Sequence, residues 1–240
     1  MVLNIIYEDE NIIVVNKEAG MLSVGDRYDK EKENLYLILL EKYGTIYIVH
    51  RLDKDTSGVI CFAKNKEIHK ELCVLFETRK VKKRYLAVVK GCVDTLKGKI
   101  DFPIKEDLSC KGKMVISKNG KPSITEYRTL ERFKKYSLIE AVPLTGRTHQ
   151  IRVHLSAIGF PLAIDPLYGD DKPVFLSEIK KDYRSCGKEV PLIKRLTLHS
   201  YKLEFYLPSY NKELNFESPL PKDFLLLLKY LRKYNSLKIA

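Results

Sequence analysis

Short apolar runs punctuated by turn residues dominate the first part of the chain, and helical stripes appear later. Residues 12–17 (Ile-Ile-Val-Val-Asn-Lys) read as a short buried strand, preceded by a turn over residues 7–11 and closed by Ala19-Gly20. Residues 46–49 and 59–63 read as two further strands, with Thr56-Ser57-Gly58 as the turn leading into the second. In residues 66–79 the apolar positions Ile68, Leu72, Leu75 and Phe76 recur at helical spacing, and Asn65 is placed to cap the helix. Residues 85–89 predict a strand ended by Gly91, and residues 125–143 alternate in a β-like way. Thr148 is the predicted N-cap of a helix carrying Ile151, Leu155 and Ile158, stopped by Gly159 and Pro161. Residues 196–206 predict another strand. Phe224, Leu227, Leu228 and Leu231 share one face of a C-terminal helix that follows Pro219 and Pro221. Such varied connections fit an α+β fold with a largely antiparallel sheet. No Pro/Gly/Ser-rich linker divides the chain, so residues 1–240 are expected to form a single domain.

Composition narrows the function classes. Forty-five per cent of the 240 residues are hydrophobic, too many for a disordered chain. Lys and Arg number 43 against 31 Asp and Glu, a net charge of +12, which favours a polyanionic partner, nucleic acid or an anionic membrane surface. The apolar run at residues 224–228 is far too short to span a bilayer, and the N-terminus lacks the pattern of a secretory leader. Cysteines 61, 73, 92, 110 and 186 contain no Cys-x-x-Cys pair, so neither a disulfide framework nor a zinc ribbon is expected. A cytoplasmic protein without a membrane segment or metal follows by default.

The chain has no Gly-x-Gly-x-x-Gly, no Walker loop, no zincin pattern and no Gly-x-Ser-x-Gly elbow. His50-Arg51-Leu52-Asp53 echoes a kinase catalytic loop, but its Asp is one place late and no Asp-Phe-Gly follows. What remains is Asp53, offered from a loop between two strands, with Arg51 and Lys54 beside it. A second cluster, Gly146-Arg147-Thr148-His149-Gln150-Ile151-Arg152-Val153-His154, sets arginines and histidines in the first turns of a helix, where phosphate or carboxylate is welcome. Arg152 brought against Asp53 would hold that carboxylate ionised, fit to act as nucleophile or general base. On composition alone, an ordinary ion-pair network accounts for the same residues equally well.

The two clusters together, His-Arg-Leu-Asp-Lys-Asp-Thr-Ser-Gly at 50–58 and Gly-Arg-Thr-His-Gln-Ile-Arg-Val-His-Leu at 146–155, resemble the RluA-type family of RNA pseudouridine synthases. Tyr7-Glu8-Asp9-Glu10, the stretch Lys83-Arg84-Tyr85-Leu86-Ala87-Val88-Val89-Lys90-Gly91, Asp165-Pro166-Leu167-Tyr168-Gly169 and Leu198-His199 agree with it in family order. The resemblance implies a pseudouridine synthase fold: a bifurcated, mainly antiparallel mixed sheet flanked by helices and loops, with a central RNA-binding cleft. It implies isomerisation of uridine to pseudouridine in structured ribosomal or transfer RNA, with no cofactor and no metal. Asp53 matches the essential aspartate, Tyr85 the tyrosine that stacks on the target base, and Arg152 the arginine that pairs with the aspartate. Arg51 is similar to the arginine that helps displace the target nucleotide. Arg147, His149 and Gln150 fall in the substrate-binding motif. The basic stretch at 79–84 and Lys111, Lys113, Lys118 and Lys121 are candidate phosphate contacts.

The chain departs from the family pattern in places. Lys17-Glu18-Ala19-Gly20 stands where relatives have Lys-Pro-Ala-Gly, and Gly159-Phe160-Pro161 where they have Gly-His-Pro. The matching pattern begins at Tyr7, leaving no room for the N-terminal S4-type RNA-binding domain that many relatives carry. A monomer is expected. Two other classes remain as rivals: a silent RNA-binding protein on the same fold, and a hydrolase using Asp53 and Asp55 as paired carboxylates.

Overall fold

A computed structural model describes residues 3–25, 32–184 and 187–237. In chain order the elements are β1 (Ile5–Glu8), β2 (Ile12–Lys17), α1 (Leu35–Tyr43), β3 (Tyr47–Ile48), β4 (Ser57–Ala63), α2 (Lys66–Glu77), β5 (Lys82–Lys90), β6 (Lys97–Asp101), β7 (Ile104–Glu106) and β8 (Met114–Ile116). They continue with β9 (Ile124–Arg132), β10 (Tyr136–Pro143), α3 (Gln150–Ala157), α4 (Leu176–Ile179), β11 (Leu198–Leu207), β12 (Lys212–Glu217) and α5 (Lys222–Tyr234). The fold is α+β. The chain divides into two compact units, Met1–Tyr85 with His199–Pro219, and Leu86–Leu198 with Leu220–Ala240. Each unit is assembled from two separate stretches of chain, which is why no linker marks a boundary in the sequence. No helix among the described residues is long and apolar enough to cross a membrane.

In the first unit β4 is central. It pairs antiparallel with β2 from Ile12↔Ala63 to Lys17↔Gly58, antiparallel with the two-residue β3, and parallel with β11 at His199↔Ser57 and Ser200↔Gly58. The runs in β2 and β4 lack polar alternation because both of their faces are covered. Ile12, Val14, Val59, Cys61 and Ala63 join Ile68, Leu72 and Leu75 of α2 and Leu203, Phe205, Leu214 and Phe216 of β11 and β12 in one core cluster. The alternate residues Ile13, Val15, Ile60 and Phe62 pack with Leu35 and Leu39 of α1, and with Leu52, in a second. Asp9 closes the β1–β2 turn: its Oδ1 accepts from the amides of Asn11 and Ile12, and its Oδ2 from the hydroxyls of Tyr7 and Tyr210.

The predicted turn at residues 56–58 is not one. Ser57 and Gly58 begin β4, and the turn lies earlier, where the Thr56 amide donates to the Asp53 carbonyl at 3.1 Å. Gly58 sits at φ +119°, and a Cβ there would fall on the backbone of Ser200 in β11. A long-range parallel neighbour, rather than local turn chemistry, requires the glycine.

In the second unit β9 pairs antiparallel with β10 and with β6, and β7 with β8 forms a separate two-stranded hairpin. The predicted C-terminal helix is α5, with Phe224, Leu227, Leu228 and Leu231 all buried. α3 begins one residue later than predicted: its N-cap is His149, left-handed at φ 53°, not Thr148, and it makes no side-chain capping hydrogen bond.

Candidate active site

The loop between β3 and β4 is tied to the first unit at His50, Leu52 and Lys54. Nε2 of His50 accepts from the Cys61 amide at 3.0 Å, and its ring stacks on Phe76 with centroids 4.6 Å apart. Burial, assisted by the nearby Lys83 charge, pushes the His50 pKa down to about 3, so the ring is neutral and carries its hydrogen on Nδ1. The Leu52 side chain enters the core, while its amide donates to Ser23 Oγ at 3.1 Å and its carbonyl accepts from that hydroxyl at 2.9 Å. The Lys54 carbonyl accepts from the Gly20 amide at 3.0 Å and from Lys17 Nζ at 2.9 Å.

Lys17 is 1% exposed. Its ammonium group also donates to the carbonyls of Glu18 at 3.0 Å and Met21 at 2.8 Å, one proton for each of three acceptors. Three backbone oxygens thereby accept from one buried cation. At the loop's end Ser57 Oγ meets His199 Nδ1 at 2.9 Å, and His199 Nε2 meets the Ser218 carbonyl at 3.2 Å. Since a carbonyl only accepts, Nε2 carries the hydrogen and the Ser57 hydroxyl donates to Nδ1.

With its neighbours pinned, Asp53 is half-buried, and Arg51, Lys54 and Asp55 are exposed. Tyr85, at the middle of β5, packs against the cluster that holds Leu52. Burial pushes its phenol up to about 12, with a hydrogen bond to Ser200 acting the other way and the Asp53 charge adding to the rise. The structure thus brings two of the predicted residues, Asp53 and Tyr85, within electrostatic reach of each other. In the basic stretch before Tyr85, Arg84 is paired with Glu204 at 2.9 Å and Lys83 is half-buried, whereas Arg79, Lys80 and Lys82 are exposed.

The second predicted cluster lies in the second unit. Arg152 is 6% exposed and makes a two-pronged pair with Asp165, which is fully buried: Nε to Oδ2 and Nη2 to Oδ1, both at 2.8 Å. Oδ1 of Asp165 also accepts from the amides of Leu167 at 3.0 Å and Tyr168 at 3.3 Å. The Tyr168 ring lies 5.1 Å from the Arg152 guanidinium carbon. Its hydroxyl accepts from the Met114 amide at 2.7 Å and shares a hydrogen bond of 2.9 Å with His149 Nδ1. Asp165 and Tyr168 carry no role in the sequence reading, although their motif is part of the resemblance.

Gln150 corrects its assignment to substrate. Its amide is buried and fully used: Oε1 accepts from the Thr145 hydroxyl and the Arg147 amide, and Nε2 donates to Ile124 carbonyl and Thr125 Oγ1. No donor or acceptor of that amide remains for a ligand. His154 is likewise structural, bridging Thr125 Oγ1 and the Phe102 carbonyl, with burial lowering its pKa. Arg147 differs: its Nε is buried without a hydrogen-bond partner among the described residues. Lys111, Lys113, Lys118 and Lys121 cluster about the β7–β8 hairpin. Cys186 lies outside the described residues.

Residues 11–157, which hold both clusters, match the family model described as RNA pseudouridylate synthase. The chain belongs to this family. It is 37% identical over 241 residues to an uncharacterised RNA pseudouridine synthase, YlyB, of Bacillus subtilis, covering 97% of this chain and 74% of that protein. It is 38% identical over 238 residues to the ribosomal large subunit pseudouridine synthase D of Neisseria meningitidis, covering 97% of this chain and 62% of that one. The human RNA pseudouridylate synthase domain containing 4 has a similar structure, with a TM-score of 0.73 at 29% identity, covering 95% of this chain and 93% of that chain. Asp53, Tyr85, Arg147, His149 and Arg152 are thus residues of an RNA-modifying isomerase fold.

Proposed function

We propose that this chain isomerises uridines of structured RNA, ribosomal or transfer, to pseudouridine, with Asp53 as its essential carboxylate. The N1–C1′ bond breaks, the C5–C1′ bond forms, the proton on C5 is lost and N1 gains one. Atoms and electrons balance without a cofactor. The observation that carries this reading is the Asp53 loop: the residues around the carboxylate are fixed by Ser23, Lys17 and His199 while the carboxylate itself stays half-exposed, with its charge felt by Tyr85. Such preorganisation suits a group that meets a sugar carbon at one geometry.

Tyr85 serves as the platform for the extruded base. A phenol held near 12 stays protonated at physiological pH and offers a neutral π-face. Arg51 is assigned the role of nucleotide displacer, and Arg147, with its buried Nε lacking a hydrogen-bond partner among the described residues, suits a backbone phosphate. His149 stands in the same turn, its Nδ1 bonded to the Tyr168 hydroxyl.

RNA carrying uridine tritiated at C5 tests this reading. The wild-type protein is expected to release tritium and Asp53→Asn is not. Free uracil among the products instead indicates a hydrolase, and RNA binding without tritium release indicates a silent binder.

A further inference from the structure

The outward side of α5 carries an arrangement that the proposed chemistry does not use. Tyr230 and Tyr234 are one helical turn apart, and their rings stack with centroids 6.0 Å apart and planes 11° from parallel. Lys233 lies 5.2 Å from the Tyr234 ring centre. Lys180, from the end of α4, lies 5.4 Å from the same ring and 6.0 Å from that of Tyr183. Ammonium groups from two separate elements therefore converge on one tyrosine.

Neither lysine has an acidic partner among the described residues, and three acids on or beside α4 and α5 are engaged elsewhere. Glu131 binds Arg232, Asp223 binds Arg195, and Glu178 takes the Phe175 amide and the Tyr136 hydroxyl. The packing needs of α5 are met by its inward face, and its C-terminal end by Asn235, which accepts from the amides of Lys134 and Lys135. Two uncompensated cations held beside partly exposed, parallel aromatic rings match what a polyanion with flat bases requires: phosphates at the ammonium groups and an unpaired base on a ring.

We propose that Lys180, Lys233, Tyr234 and Tyr230 form an RNA contact separate from the Asp53 loop and the α3 turn, gripping single-stranded nucleotides that flank the modified site. The inference rests on the RNA-modifying reading. Its experiment compares wild type, Lys180→Gln/Lys233→Gln, and the control Lys97→Gln/Lys99→Gln, which removes two exposed lysines from β6. Binding to ribosomal RNA from cells lacking this gene is measured across a salt series. Loss of two phosphate contacts makes the log-log salt slope shallower by about 1.4, at roughly 0.7 per single-strand phosphate. The Lys180/Lys233 variant is expected to show that change with a tenfold or greater loss of affinity at low salt, and the control to keep the wild-type slope. Tyr234→Ala is expected to weaken binding without altering the slope. An unchanged slope in the Lys180/Lys233 variant, or an equal change in the control, overturns the proposal. If the wild type releases no tritium from C5-labelled RNA, the isomerase reading fails, while the binding comparison still judges this surface by itself.

Discussion

Arg152 and Asp165 face each other through two parallel hydrogen bonds of 2.8 Å, in near-complete burial. Two of the three guanidinium nitrogens are thereby oriented by a carboxylate of the same unit, whose Oδ1 is itself held by two backbone amides. Removing one partner leaves an uncompensated buried charge, so Asp165→Asn is expected to destabilise the protein by about 3–5 kcal/mol. The double variant Arg152→Met/Asp165→Leu is expected to lose less stability than the single one. Urea denaturation of the two variants is the check, and equal stability of Asp165→Asn and wild type contradicts the role given to the pair.

Lys17 helps to hold the Asp53 loop through the Lys54 carbonyl. Lys17→Met removes one donor from each of three carbonyls, at roughly 1–3 kcal/mol for each left unsatisfied. The Lys54 carbonyl, next to Asp53, is one of them, so turnover is expected to fall beyond what the lost stability explains. Lys17→Arg is not expected to rescue it, because a planar fork cannot reproduce three divergent bonds. Melting curves and tritium release at a temperature where both variants are folded separate the two effects.

For Tyr85 the ring and the hydroxyl are separable. Tyr85→Phe keeps the stacking surface and is expected to bind RNA as the wild type does. Tyr85→Ala is expected to lose about 1–3 kcal/mol of binding, the worth of one stacked base. Equal affinity of wild type and Tyr85→Ala for unmodified RNA argues against a stacking role.

The pH dependence of stability follows from His50. Its pKa is about 3 when folded against 6.5 for the ordinary group. Between these values the unfolded chain takes up a proton that the folded one refuses, so stability is lost as pH falls from about 6.5 toward 3. The lowered pKa of His154 acts in the same direction. His50→Gln, which keeps an acceptor for the Cys61 amide, is expected to show a shallower fall in urea midpoint over that window. A fall as steep as the wild type's removes His50 from the account.

Much of the fold is legible because its causes are local. The Asn65 cap is where the sequence predicts it, with Oδ1 accepting from the Ile68 amide at 2.9 Å, and β2 spans the predicted residues. α1 is missed because Leu35-Tyr36-Leu37-Ile38-Leu39-Leu40 has no apolar period, although only Leu35 and Leu39 are buried. Gly58, Gln150 and the start of α3 are misread for a different reason. Their surroundings come from Ser200, Ile124 and Thr125, which are distant in sequence. Among the candidate residues, Asp53, Tyr85 and Arg152 are visible through the resemblance. Lys17 and Asp165 give no signal of their own, since a lysine ending a strand and an aspartate before a proline look ordinary until their partners are seen.

The bond between Ser57 and His199 spans 142 residues of chain. During synthesis from the N-terminus, the Asp53 loop therefore waits, incompletely anchored, until β11 has emerged. The loop gains its last anchor only after residue 199 has been made, so the parallel pairing of β4 with β11 and the fixing of this loop are one late event in folding.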